Sequence, residues 1–236
     1  MDITQIFIFA FVAILLGKLK RGRLLALLAV SAFVIYWLQP VQTPANLTFW
    51  FPTFTLLIVV FSWWVAFSSG KQGWKTNLPA MLVLAGVIVL VGMNRYIQLE
   101  QVFITDTPRM FWVGLTVAMI ISPALPFMRF RENRSGRYIA LVFILIGLLV
   151  ITKLPFALTG IYETMLSLRG KTSPIESTGF LWLGFSYVVF RLVHTIMDRR
   201  AGRLNPMPLA EYINYVIFFR PLSPDRLTGS SVLCGT

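Results

Sequence analysis

The sequence predicts an all-α fold: a polytopic transmembrane bundle of about seven spanning helices, with short interfacial or re-entrant helices between them. Three observations predict it. The 236-residue chain is 57% hydrophobic and only 13% charged, where a water-soluble domain carries roughly a quarter charged residues. Apolar runs of membrane-spanning length recur along it. Its basic residues punctuate those runs instead of gathering on one soluble face, so the net charge of +12 belongs to membrane topology and argues against a nucleic-acid partner.

A spanning helix needs about 20 mainly apolar residues, with roughly 17 to 25 tolerated. That rule places helices near 3–17, 24–40, 48–69, 78–97, 111–128, 138–152 and 179–197, the first and sixth being short. Asp2 stands where a signal peptide wants basic residues, and no small-residue cleavage site follows the first apolar run. That run therefore reads as a retained membrane helix. Between the sixth and seventh helices the stretch from Lys153 to Thr178 begins apolar but is broken by Pro155 and Gly160, the pattern of a re-entrant or interfacial helix. After Asn205-Pro206-Met207-Pro208, the segment LAEYINYVIFF supplies a half-length apolar run. Residues 1–219 thus read as one transmembrane domain and 220–236 as an irregular, disordered tail.

Counting Lys and Arg by alternate connections separates two sides. The first, third, fifth and seventh connections hold 13, among them Lys18, Lys71, Arg131 and Arg200; the others hold 5, including Arg109 and Lys153. Short loops rich in Lys and Arg stay cytoplasmic, which puts the N-terminus outside. Aromatic residues cluster near helix ends, at Tyr36-Trp37, Phe49 to Phe51, Trp63-Trp64 and Phe111-Trp112. Indole rings favour the headgroup level, so these read as interfacial belts.

Several chemistries are missing. There is no phosphate-binding Gly-rich loop, no nucleophile elbow and no zinc-binding His pair. One histidine and one cysteine, Cys234, exclude an intrachain disulfide and leave no basis for a metal site. What remains is GFSYVVFRLVHTIMDRR, Gly184 to Arg200. At about 100° per residue, with Tyr187 at zero, Arg191 falls near 40°, His194 near 340° and Asp198 near 20°. Val189, Leu192, Val193 and Ile196 take the opposite side. Charges inside a membrane helix cost about 2.5 to 3.5 kcal/mol at its centre and usually face a bundle interior or a wet cavity. The narrow stripe therefore reads as a functional interior face. The alternative is a snorkelling Arg191, about 10 Å from Asp198 at the expected cytoplasmic end, beside a packing histidine. Asn94-Arg95 and Lys153 sit at helix ends and read as interface anchors.

The run WLGFSYVVFRLVHTIMD resembles a signature of the membrane-bound O-acyltransferase (MBOAT) family, carried by Leu183, Gly184, Phe185, Ser186, Tyr187, Phe190 and Asp198. Downstream, Leu209 to Phe219 looks like the family's next block at fitting spacing. The resemblance covers about 179–219. It implies a many-helix bundle with a tunnel, lined in part by Tyr187, Arg191, His194 and Asp198. In that tunnel an acyl group from a thioester donor, acyl-CoA or an acyl-carrier protein, meets a hydroxyl of a cell-wall polymer or exported polysaccharide at the bacterial plasma membrane. It implies no bound cofactor. The family's catalytic histidine lies on a later helix that no position here matches, and His194 is not a substitute for it. Where the family continues Phe-Phe-Pro toward Gly-Pro-Ile, this chain reads FFRPLSPDRLTGSSVLCGT, so the resemblance implies an N-terminal, inactive portion, truncated or frameshifted near Phe219. Two readings need no acyl transfer: a small transporter or channel component using the stripe as a polar path, and a non-catalytic membrane scaffold.

Overall fold

The structure, a computed structural model, describes residues 22–37, 47–67, 74–97, 109–122, 134–154, 160 and 184–217. The expected helix over 3–17, nearly all of the re-entrant stretch of 153–178 and the tail from 220 lie outside them. Among the described residues there are helices and no strands: α1 (Arg23–Trp37), α2 (Leu47–Phe67), α3 (Trp74–Ile97), α4 (Met110–Ile121), α5 (Arg134–Lys153), α6 (Phe185–Arg200) and α7 (Leu209–Ile217).

Fewer of these cross a membrane by length and composition than the sequence led us to expect. Three do, over Phe49–Phe67, Thr76–Met93 and Gly136–Lys153, while Arg23–Trp37 and Met110–Ile121 are apolar but shorter. Of the run expected over 111–128, the described helix is Met110–Ile121, and residues from 123 lie outside the description. The Ser122 hydroxyl donates to the Met119 carbonyl at 2.8 Å. Helix α6 starts at Phe185, six residues after the expected start at 179, with Gly184 before it at φ 77°, a left-handed conformation that suits glycine. At its far end Gly202 (φ 74°) closes a Schellman turn, in which Arg203 N–H bonds the Asp198 carbonyl at 2.9 Å and Gly202 N–H that of Arg199 at 3.2 Å.

Helix α2 is the central column, packing against α1, α4, α5, α6 and α7. Helices α3 and α4 pair on one side and α5 and α6 on the other, while α7 lies among α1, α2, α3 and α6. Fully buried Phe49, Leu56, Phe67, Leu84, Ile88, Leu192 and Tyr212 fill the centre. Hydrogen bonds sort the helix ends. Tyr138 Oη and Arg199 Nε both donate to the Ala66 carbonyl at 3.4 Å, and Leu209 N–H donates to Asn77 Oδ1 at 2.9 Å. One end therefore gathers the C-termini of α2 and α6 with the N-termini of α3, α5 and α7. At the opposite end the start of α2 meets the end of α1, where Tyr36 and Thr53 share a 2.8 Å hydrogen bond. There it also meets the start of α4, with Trp50 and Trp112 rings 6.3 Å apart.

Candidate functional site

The polar stripe of α6 and the short α7 form the candidate site. Phe185, Val188, Val189, Leu192, Thr195 and Ile196 are the buried face of α6. The expected apolar side, Val189, Leu192 and Ile196, is thus the one turned into the bundle, with Val193 half-buried. Tyr187, Arg191 and Asp198 are half-buried at its margin, and His194 is exposed. Of the other signature residues, Phe185 is buried, Ser186 half-buried and Phe190 61% exposed; Leu183 lies outside the described residues. The stripe runs along the less covered side of α6, not along its most buried one.

Within the stripe only Tyr187 and Arg191 are brought together. The Arg191 guanidinium lies 5.4 Å from the Tyr187 ring centroid and 4.7 Å from that of Tyr215 on α7. Its Nη1 donates to the Tyr215 carbonyl. Arginine suits this place because a planar, weakly hydrated cation stacks on aromatic faces while donating at its edge. Tyr215 lies in the last turn of α7, where carbonyls lack intrahelical donors and the helix dipole is negative. Arg191 therefore does not reach along α6 toward Asp198. That carboxylate instead meets Arg203 Nη1 at 3.9 Å in an exposed ion pair.

The polar anchors of α7 are the residues the sequence reading missed. Ser62 and Tyr212 share a 2.8 Å hydrogen bond between hydroxyls. Asn214 Nδ2 donates to the Leu24 carbonyl at 3.0 Å, and Ser31 Oγ lies 3.3 Å from Asn214 Oδ1. Trp63 Nε1 donates to the Met207 carbonyl at 3.0 Å. Ser31, Ser62, Asn77 and Asn214 are all buried. Lone polar residues inside apolar helices, as Ser31 and Ser62 are, were the available signal, because in lipid such groups seek partners on neighbouring helices. Arg199, one of the 13 basic residues counted for topology, is a further anchor. It stacks over Phe67 at 5.3 Å and donates to the Leu204 carbonyl at 2.6 Å, pinning the turn before α7.

Among the described residues no group of three or more His, Cys, Asp or Glu is placed to hold a metal ion. Lys153 is exposed in the last turn of α5, and the side chains of Asn94 and Arg95 are outside the description. Chemically, the arrangement offers a cation against two phenol rings and can orient a polar or anionic group, with the exposed His194 less than one helical turn further along α6. Comparison with protein families, curated proteins and solved structures finds no match to this chain.

Proposed function

We propose that this chain is a membrane-bound O-acyltransferase family protein of the bacterial plasma membrane, its N-terminus outside. The α6 stripe is part of the wall along which a thioester donor and a hydroxyl-bearing polysaccharide or cell-wall polymer are oriented. The observation that carries the reading is the junction of the two family-like blocks: Arg191 of the first holds the Tyr215 carbonyl of the second. In the transfer, the acceptor oxygen bonds the acyl carbon, the carbon–sulfur bond breaks, and the thiol leaves with the proton taken from the hydroxyl. This chain's residues supply positioning, through Tyr187, Arg191, His194 and Asp198, which raises the effective concentration of the reacting groups. The base is not among them.

The burial of a nine-residue helix among four others also favours a second reading, a transporter component with a polar site near mid-membrane. A photoactivatable long-chain acyl thioester, added to membranes carrying the protein, separates the two. Labelling of the peptide from Gly184 to Arg200, reduced several-fold by His194→Ala, is the expected result. Labelling confined to other helices overturns the acyltransferase reading. Solute flux in proteoliposomes without α6 labelling favours transport.

A further inference from the structure

We propose that the end of the bundle formed by the start of α5 and the end of α6 is a binding site for an anionic phospholipid. The inference does not depend on the acyltransferase reading. It rests on the convergence at Ala66: Tyr138 of α5 and Arg199 of α6 donate to the same carbonyl, so the helix ends that bear Arg137 and Arg200 meet there. The Schellman turn after α6 holds Arg203 next to them, its side chain 77% exposed. Arg23 and Arg200 at the same end are also exposed. Among the described side chains this end carries five arginines, Arg23, Arg137, Arg199, Arg200 and Arg203, against the carboxylates Asp198 and Glu211. Guanidinium groups at the headgroup level pair with phosphodiesters through charge-assisted hydrogen bonds.

A second observation distinguishes a lipid from a soluble anion. Only 17% of the α5 apolar window is buried. On the same side of α5 as Arg137, the exposed Ala140, Ile144 and Ile151 follow at helical spacing and form an apolar lane running away from the arginines. A phosphate at Arg137 and Arg200 places its acyl chains along that lane. Zwitterionic lipids offer the same chains but a neutral headgroup. Free phosphate offers the charge without the chains.

The test uses purified protein in phosphatidylcholine nanodiscs doped with phosphatidylglycerol or phosphatidylethanolamine, with retained lipid measured by native mass spectrometry. We expect selective retention of phosphatidylglycerol. The variant Arg137→Gln/Arg200→Gln/Arg203→Gln weakens it by roughly 100-fold, from about a factor of five per arginine. Arg109→Gln/Lys153→Gln, at the opposite end, leaves it unchanged. Inorganic phosphate at millimolar concentration does not displace the lipid. Equal retention of the two lipids, equal loss in the opposite-end variant, or displacement by phosphate overturns the proposal. Should the triple variant not fold, the exposed Arg200→Gln alone must still show about a fivefold loss, and no loss there overturns it as well.

Discussion

Arg191 and His194 stand less than one helical turn apart on α6 and have different surroundings. The guanidinium is held by a carbonyl and two phenol rings, whereas the imidazole is exposed. Replacing Arg191 by Met keeps the length but leaves the Tyr215 carbonyl without its charged donor, at a cost of about 1.5 to 3 kcal/mol. Arg191→Lys keeps the charge without the planar stack and falls between. His194→Phe changes stability by less than about 0.5 kcal/mol. Unfolding of the detergent-solubilised protein measures all three, and an Arg191→Met protein as stable as the parent removes Arg191 from the support of α7. The family-like signature marks where these residues sit in the chain. It does not separate the one built into the packing from the one that faces outward.

At the scale of the element, α7 is too short to span a membrane and is held by its neighbours. Tyr212→Phe strands the buried Ser62 hydroxyl, and Asn214→Leu removes the link to Leu24 and Ser31. Each costs about 0.6 to 2 kcal/mol. The two link α7 to different helices, so their effects add in the double variant; strong non-additivity in a denaturation series rejects separate anchoring. The α3–α4 contact makes a different demand. A Cβ on Gly92 falls 2.9 and 3.0 Å from the two Val113 methyl carbons, and the β-branched Val113 has little freedom to yield. Gly92→Ala costs about 1 to 3 kcal/mol by overpacking. Adding Val113→Ala recovers most of that loss, and a double-variant cycle without such recovery rejects the contact.

For the whole molecule, the ends of the bundle agree with the charge count. The third, fifth and seventh connections, found to be rich in Lys and Arg, each have a flanking helix end among those that meet around Ala66, Asn77 and Leu209. With that end cytoplasmic, a cysteine placed at Arg203 in a Cys234→Ser background is shielded from a membrane-impermeant maleimide on intact cells. A cysteine at Arg109 is labelled. The reverse pattern inverts the proposed orientation and leaves the helix packing untouched.

How much was legible follows from the range of each interaction. Helices α1 to α6 are visible as apolar runs because propensity and hydropathy act over neighbouring residues, and the stripe from Tyr187 to Asp198 is visible because helical period is local. Their boundaries shift where one residue overrides the pattern, as Gly184 does before α6. The amino-acid order alone therefore settles that the described chain is helical with runs long and apolar enough to cross a membrane, which helices carry polar residues and on which angular sector. Packing decides the rest. That the stripe lies on the less covered side of α6, that Arg191 serves α7, and that Ser62 meets Tyr212 across 150 residues depend on which helices become neighbours. No local period encodes that choice; it is set by the burial and hydrogen bonding that the assembled bundle satisfies together.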